Sequence, residues 1–254
     1  MSQRLSLRRA APFVSIPLFV LVWHASVKVH PGTLIPSPSA VVAGIFELFH
    51  RGLLFRYIVA SLFRVTWGYL LAVGLAVPAG VWLGLTPRAL AAAGPLLQIL
   101  RPISALAWIP VAILWFGVGD LSAIFLIFIA SFLPMIAVTM QAVRQVDPVY
   151  LHAGRNFGLG RNAMVRRVVI PAVLPRLLVG LRITLGVSWL VVVAAEMIAV
   201  NSGLGFLIID ARNAGNRYDL VIAGMVMVGL TGLGLDLAMR RLEHLPAVRW
   251  GYVR

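Results

Sequence analysis

The stretch that decides the fold is "DPVYLHAGRNFGLGRNAMVRRVVIPAVLP", residues 147–175, which is basic and glycine-punctuated and lies between long apolar segments. Asp147 is a good N-cap, and Pro148 suits the first helical position, where a missing N–H costs nothing. Gly158 and Gly160 supply the tight-turn backbone that ends this helix. The stretch therefore begins with a short helix followed by a turn.

The second half of the stretch predicts another short helix, "RNAMVRRVV" (residues 161–169), which Pro171 stops, while Pro175 opens the next apolar segment. Together the two helices form a basic hairpin, at about residues 144–174, against a membrane face. Local physics leaves two interpretations open. The hairpin is either an amphipathic loop held by anionic lipid headgroups or a docking site for another protein.

The composition is that of an integral membrane protein. Hydrophobic residues make up 61% of the 254 residues and charged residues 12%, whereas a soluble domain is about half apolar and about a quarter charged. The formal charge of +14 favours anionic lipid or an acidic partner over nucleic acid. The sequence has no cysteine, which excludes disulfides, thiolate metal sites and a cysteine nucleophile.

Apolar windows of about 20 residues, the length that crosses hydrocarbon as a helix, predict six spans and an all-α fold. They fall near residues 12–28, 60–85, 90–117, 121–143, 175–200 and 219–240. The third is interrupted by Pro95, Pro102 and Pro110. We interpret the first as a retained anchor, since no small-x-small cleavage site follows it. A single transmembrane domain over residues 1–254 is expected.

The distribution of cations predicts the orientation, because Lys and Arg beside short loops stay on the cytoplasmic side. With six spans, fourteen cations share the side of the hairpin and of both termini. The other side holds Lys28, Arg51, Arg56, Arg64, Arg212 and Arg217. The hairpin and both termini are therefore expected in the cytoplasm.

The hairpin resembles the cytoplasmic loop of binding-protein-dependent, or ABC, transporter permeases. That loop reads Glu-Ala-Ala, three residues, Gly, nine residues, then Ile-x-Leu-Pro. The matching positions here are His152, Ala153, Gly154, Gly158, Val168, Ile170 and Pro171. The spacing is kept, with His152 in place of Glu and Gly154 in place of Ala. "RPISALAWIPVAILWFGVGD" and "PAVLPRLLVGLRITLGVSWLVVVAAEMI" are similar to the taurine, alkanesulfonate, nitrate and bicarbonate branch, and the resemblance covers most of residues 60–240.

The resemblance implies the architecture of a type I ABC importer permease in the bacterial cytoplasmic membrane, importing a small anion. The first hairpin helix would insert into a cleft on a cytoplasmic ATPase subunit. The expected contact residues are His152, Ala153, Gly154, Arg155, Asn156, Phe157 and Gly158, with Arg161 at the rim. The implied partners are two ATPase subunits carrying ATP and Mg²⁺, a solute-binding protein, a second copy of the chain and membrane lipid.

The chain itself is expected to hydrolyse nothing and to bind no cofactor or metal. A phosphate-binding loop needs Gly-Lys-Ser/Thr, and the lone lysine, Lys28, stands between Val27 and Val29. The sequence also lacks a His-Glu-x-x-His zinc motif and a Gly-x-Ser-x-Gly elbow. A secondary transporter, or a membrane scaffold without an ATPase partner, remains the alternative function.

Ionisable residues inside apolar windows indicate the transport pathway, because such groups usually face a partner or an aqueous cavity. Arg101 precedes Pro102, where the helix is expected to break, and discontinuous helices commonly line transport sites. The candidate pathway residues are Arg101, Pro102, Ser104, Trp108, Arg182, Ser188 and Glu196. Two alternatives stay open: Arg182 snorkels to the cytoplasmic face, and Arg101 pairs with Glu196 as a structural bridge.

Overall fold

Helices account for nearly all of the structure, a computed structural model that describes residues 2–29, 34–213 and 215–243, with no strand among them. The helices are α1 Ser2–Val29, α2 Pro38–His50, α3 Leu53–Leu85, α4 Pro87–Leu100, α5 Ile109–Phe116, α6 Asp120–Arg144, α7 Pro148–Asn156, α8 Arg161–Met164, α9 Ile170–Ala199, α10 Leu204–Asn213 and α11 Tyr218–Glu243. A 3₁₀ turn, Ala105–Trp108, precedes α5, and a π-helical turn, Val165–Val169, joins α8 to α9. The all-α prediction is confirmed.

Four helical segments of the described chain are long and apolar enough to cross a membrane. They are α3, α6, α11 and the continuous run Arg161–Ala199. Helix α4 and the segment Ala105–Phe116 form a pair bent by 86°, which is either a broken fifth span or a re-entrant loop. The described apolar part of α1 is the shorter stretch Ser15–Val29, so a span in the first window stays a prediction.

The third predicted window is broken, and only one of its three prolines lies at the break. Residues 101–104 separate α4 from the 3₁₀ turn, and Pro102 removes the N–H that would continue α4. Pro95 is accommodated inside α4, whereas Pro110 lies in the first turn of α5. The window therefore forms two helices set at a steep angle rather than one straight span.

Helices α3 and α6 run parallel and pack closely along their length. A Cβ added at Gly68 would lie 2.7 Å from Ile127 Cβ, and one added at Gly80 would lie 2.6 Å from Thr139 Cβ. Such small residues let helix backbones approach in the absence of a hydrophobic driving force within lipid. Helix α9 packs antiparallel against the same pair, with Gly180 against Val138. These three helices form the centre of the protein.

The predicted stop at Pro171 is wrong. The helix that begins at Arg161 continues to Ala199, because the π turn widens the backbone just before the proline. Pro171 consequently falls in the first turn of α9, where it needs no N–H partner. The hairpin is thus rigidly continuous with a membrane-spanning helix.

Two short helices that the apolar windows did not predict pack at the end of the protein opposite the hairpin. Helix α2 is N-capped by Ser37, whose hydroxyl accepts a hydrogen bond from the Ala40 N–H at 3.3 Å. Its buried Val41 and Leu48 share a core cluster with Leu207 of α10 and Leu220 of α11. With 13 and 10 residues, α2 and α10 are too short for a window of about 20 residues.

Candidate functional sites

The hairpin has the caps that its sequence predicts. The Asp147 carboxylate accepts a hydrogen bond from the Val149 N–H at 2.9 Å, which fixes the start of α7. Gly158 has φ +70°, a left-handed conformation that glycine adopts without strain. The Leu159 N–H then reaches back to the Gly154 carbonyl at 3.0 Å. Helix α7 is therefore held at both ends and projects as a fixed unit.

The hairpin presents an apolar groove with an unusually exposed aromatic ring beside it. Phe157 is 85% exposed and borders a groove of about 490 Å³ whose wall includes Tyr150, Val168, Pro171 and Ala172. Of the predicted contact residues, the exposed ones are His152, Arg155, Asn156, Phe157, Gly158 and Arg161, whereas Ala153 is half-buried and Gly154 is buried. A phenyl ring beside a groove is an arrangement suited to anchoring a partner.

Gly154 is buried because Met164 of α8 occupies the space beside it. A Cβ at Gly154 would lie 2.8 Å from the Met164 Cε and Sδ atoms, both near the end of a flexible side chain. Methionine adapts readily to such changes. The loops that this hairpin resembles carry alanine at this position. Here Met164 fills the space beside the glycine instead.

We expect Gly154→Ala to leave the protein at least as stable as the wild type, because the Met164 side chain can turn away and alanine favours a helix over glycine by about 1 kcal/mol. Thermal unfolding of the purified protein measures the effect. A fall in the midpoint of more than a few degrees would show that Met164 is fixed in place.

At the opposite end of the protein, Glu196 of α9 is fully buried in a polar network. Its Oε2 atom accepts hydrogen bonds from the Ser61 hydroxyl and the Gly205 N–H, both at 2.9 Å. Its Oε1 atom lies 2.6 Å from Arg64 Nη1. The Ser61 hydroxyl oxygen in turn accepts a hydrogen bond from the Leu204 N–H at 3.0 Å. The carboxylate is therefore charge-paired and fully hydrogen-bonded, as burial of a charge requires.

The Arg64 guanidinium joins three helices and a loop at this end. Besides Glu196, it binds Asp120 at the start of α6, with Nε to Oδ1 at 2.8 Å. Its Nη1 atom donates to the Ser202 carbonyl at 2.7 Å, and its Nη2 atom bonds the Ser202 hydroxyl. Gly203 has φ +107°, and a Cβ there would overlap the Glu196 carboxylate. We call these residues (Ser61, Arg64, Asp120, Glu196, Ser202) the Arg64 network.

The proposed Arg101–Glu196 pair is wrong, since Arg64 is the partner of Glu196. Counting Arg64 with the loop cations was also wrong, because it lies inside α3 with its side chain 3% exposed. The sequence already indicated that Arg64 is an intramembrane charge. Arg64 falls in the 60–85 window, and the rule that marked Arg101 as an intramembrane charge applies to it equally.

Arg182 is also neutralised within the protein. Its Nε atom lies 2.6 Å from Asp236 Oδ1 of α11, and its Nη1 atom lies 3.4 Å from Glu243 Oε2. Asp236 also accepts a hydrogen bond from Arg240 Nε at 2.8 Å. Arg182 therefore connects α9 to α11 through ion pairs. Neither of the two predictions for this residue, a place in the transport pathway or snorkelling to the cytoplasmic face, included these pairs.

Outside the spans, Arg217 connects α2 to the start of α11. Its Nη2 atom lies 2.7 Å from Glu47 Oε2 and also 2.7 Å from Asp219 Oδ2. The hydrogen bond from Arg217, aided by its positive charge and that of Arg51, holds the pKa of Glu47 below its usual value. The carboxylate thus stays ionised and paired at neutral pH.

Two further pathway candidates, Ser188 and Trp108, pack against other helices of the protein. Ser188 is fully buried and shares a 2.5 Å hydrogen bond with Ser131 of α6, and Trp108 packs against the core cluster that contains Ile109 and Ala112. Ser104 is exposed and caps the 3₁₀ turn by accepting the Leu106 N–H at 3.3 Å. Neither Ser188 nor Glu196 has surface with which to line an open pathway in this conformation.

Arg101 differs from the other two intramembrane arginines. It is exposed, immediately after α4, and lines a cavity of about 350 Å³ between α4 and α6 together with Gln98 and Arg144. The described part of the chain gives Arg101 no ion pair, whereas Arg64 and Arg182 each have two acidic partners. Nor do the described residues contain any group of three His, Asp or Glu side chains that could hold a metal ion.

Comparison with known proteins identifies the family. The pattern of the binding-protein-dependent transport system inner membrane component matches residues 76–246, which cover both the hairpin and the α4–α6 cavity. The chain belongs to this family. It is a multi-pass inner-membrane permease component of ABC importers, a transport subunit rather than an enzyme.

Relatives of this permease confirm the branch that the sequence motifs indicated. It is 32% identical over 239 residues to the taurine transport system permease protein TauC of Escherichia coli, covering 91% of this chain and 86% of the relative. It is 34% identical over 236 residues to the nitrate import permease protein NrtB of Synechococcus elongatus, covering 88% and 84%.

A solved structure confirms the fold. The inward-facing MetNI methionine ABC transporter superimposes with a TM-score of 0.67, at 18% identity, over 75% of this chain and 94% of the other. The type I importer permease fold is therefore shared, although the sequences have diverged widely.

Proposed function

We propose that this permease, acting as one transmembrane domain over residues 1–254, imports a small anion such as a sulfonate or nitrate. ATP hydrolysis on two separate cytoplasmic ATPase subunits drives the movement, and ATP and Mg²⁺ bind to those subunits. A solute-binding protein delivers the anion at the end that carries the Arg64 network. The hairpin and both termini lie in the cytoplasm, as the cation distribution favours.

The observation that carries the proposal is that Arg101 has no acidic partner in the part of the chain that the structure describes. Charges inside a membrane protein are costly, and those without a structural partner usually serve a substrate or ion pathway. Arg64 and Arg182 each have two acidic partners, so their charges are neutralised by carboxylates of the same chain. Of these three, Arg101 is the one with no acidic partner among the described residues, and it lies at a helix break beside a cavity. A mobile anion is the natural counter-charge.

The position of Arg101 also supports a second copy of the chain. Its cavity is shared with Leu133, near the middle of the membrane-spanning helix α6. An exposed guanidinium at that depth cannot face hydrocarbon without a large cost. A twofold-related partner would cover this face and enclose a water-filled path between the two copies, as closed symmetry favours for identical chains.

The hairpin supports docking to an ATPase rather than to lipid alone. Phe157 at 85% exposure, together with its neighbouring groove, provides an anchor of the kind that dominates protein interfaces. Arg167 lines this groove, and Arg161 and Arg166 are exposed on the same hairpin. All three are suited to acidic residues at the rim or to lipid phosphate. Since α8 continues into α9, movement of a docked ATPase would be transmitted directly to a membrane-spanning helix.

Secondary transport fits the structure less well. Ion-coupled transporters commonly use an intramembrane acid that binds and releases a cation. Here Glu196 is held by Arg64, Ser61 and the Gly205 N–H, and Asp236 is held by Arg182. Neither carboxylate is available to a travelling proton or sodium ion in this conformation.

We expect Arg101→Ala to lower ATP-driven anion uptake at least about tenfold, and more than Arg182→Ala, because Arg101, unlike Arg182, has no acidic partner among the described residues and can meet the solute. Uptake into proteoliposomes that contain the complete transporter measures both variants at equal incorporation. Arg101→Lys, which keeps the charge but loses the planar fork, should fall between wild type and Arg101→Ala. Equal uptake by both alanine variants, or the reverse order, would contradict the proposal.

A further inference from the structure

A groove between α9 and α11 lies on a face of the protein that lipid can reach. It holds a cavity of about 140 Å³ whose lining includes Gly186 and Trp189 of α9 and Gly232 of α11. Gly186 is exposed, and a Cβ added there would meet no atom within 4 Å. The neighbouring Ile183 and Leu190 side chains are 63% and 70% exposed, as suits a surface against lipid tails. The groove, which we call the α9–α11 groove, therefore reaches the surface at Gly186.

Four charged side chains form a cluster at the hairpin end of this groove. Arg182 and Asp236 line the cavity itself and pair with each other at 2.6 Å. Glu243 pairs with Arg182 at 3.4 Å, and Arg240 pairs with Asp236 at 2.8 Å. Helix α11 rises about 39 Å over its 26 residues, more than the roughly 30 Å of a hydrocarbon core. Its last turns, which carry these charges, therefore reach the level of the lipid headgroups.

The cluster leaves one acceptor and one guanidinium group incompletely used. Glu243 Oε2 faces Arg182, whereas Glu243 Oε1 is buried and receives no hydrogen bond from any residue that the structure describes. A buried polar atom without a partner is costly. The Arg240 side chain is 53% exposed, and its described hydrogen bond to Asp236 uses the Nε atom. An acceptor and a set of donors thus lie side by side, because residues three apart are neighbours on a helix.

We propose that the α9–α11 groove binds a phospholipid whose headgroup carries a primary ammonium group, namely phosphatidylethanolamine. Its phosphate accepts hydrogen bonds from Arg240, its ammonium group donates to Glu243 Oε1, and one acyl chain passes Gly186. Two arginines and two carboxylates make the cluster neutral overall, so a purely anionic head gains no net attraction, whereas a zwitterion matches both signs of charge. The trimethylated head of phosphatidylcholine has no N–H and leaves Glu243 Oε1 unpaired. This site depends neither on the anion path nor on the hairpin.

The experiment is native mass spectrometry of the purified full-length permease, titrated in detergent with three lipids that have the same acyl chains. Phosphatidylethanolamine should bind at least about tenfold more tightly than phosphatidylcholine or phosphatidylglycerol, because a hydrogen bond to a charged group strengthens binding by about that factor or more. Equal affinities of the wild type for phosphatidylethanolamine and phosphatidylcholine would overturn the proposal. So would binding that is lost whenever two copies assemble, since a second copy would then cover the groove.

The decisive variant for the headgroup is Glu243→Gln, which keeps the shape of the side chain but removes its charge. It should lower the preference for phosphatidylethanolamine over phosphatidylcholine at least about fivefold, because the ammonium group loses its charged acceptor. Asp210→Asn removes one negative charge from an exposed position of α10, at the other end of the protein. This matched control should leave the preference unchanged. An unchanged preference in a well-folded Glu243→Gln variant would contradict the proposed headgroup contact.

A second pair of variants tests the groove independently of its charges. Gly186→Leu should fill the path of the acyl chain and weaken phosphatidylethanolamine and phosphatidylcholine alike, by at least about fivefold, because the apolar surface that the chain covers is lost. Gly234→Leu is the matched control, since a Cβ there also meets no atom within 4 Å and Gly234 is not among the residues that line the cavity. Wild-type affinity for phosphatidylethanolamine in Gly186→Leu would show that no lipid lies in this groove.

Discussion

Replacing Arg64 with methionine should nearly abolish recovery of folded permease from membranes. The variant leaves Glu196, which has no exposed surface, as an uncompensated buried carboxylate. Removing one partner of a buried ion pair costs about 3–5 kcal/mol, against a total stability of about 5–15 kcal/mol for a typical domain. Asp120 and Ser202 lose their partner at the same time. Size-exclusion chromatography of the solubilised, fluorescently tagged protein measures the folded fraction.

Two further variants make this prediction specific. Arg56→Met, at an exposed position of the same helix, should leave the folded fraction unchanged. The double variant Arg64→Met, Glu196→Met should recover part of the loss, because apolar replacement of both partners removes the buried charge. A wild-type folded fraction and unfolding midpoint for Arg64→Met alone would show that the Arg64 network contributes little.

Replacing Phe157 with aspartate should reduce ATP-driven uptake by more than about tenfold while the membrane fold stays intact. Phe157 is 85% exposed, so the change removes little contact within the chain. At a docked interface, however, it would bury an unpaired carboxylate in place of an aromatic anchor, a substitution of the kind that costs several kcal/mol. Uptake and ATPase retention, measured on one proteoliposome preparation, report the effect.

Phe157→Leu is the matched control, since it keeps an apolar side chain at the same position and should retain most of the uptake. The unfolding midpoint of Phe157→Asp should equal that of the wild type. Full uptake by Phe157→Asp, with normal incorporation, would mean that the hairpin does not dock through this surface.

The sequence predicted those features that depend on neighbouring residues. The N-cap at Asp147 and the turn at Gly158 follow from local geometry, and both are found in the structure. The stop at Pro171 was wrong because a π turn, which no sequence rule signals, shifted the proline into the first turn of α9. Local chemistry thus predicted the hairpin but not its rigid attachment to the membrane.

The charge pairing could not be predicted in the same way. The hydrogen bonds of Arg64 reach Asp120, Glu196 and Ser202, which are 56, 132 and 138 positions away in the sequence. Only the parallel packing of α3 on α6, and of α9 against both, brings these groups together. Apolar windows reveal that a charge lies within a span, whereas the identity of its partner depends on how the helices are arranged.

We propose that this chain forms the membrane path of an importer whose ATPases dock on the hairpin. Native mass measurement of the detergent-solubilised complex, purified through this chain, tests it most directly. The expected particle holds two copies of the chain and two ATPase subunits, and Phe157→Asp should release the ATPases while leaving the pair of permeases. A particle without ATPase subunits, from a preparation whose anion transport is intact, would contradict the account.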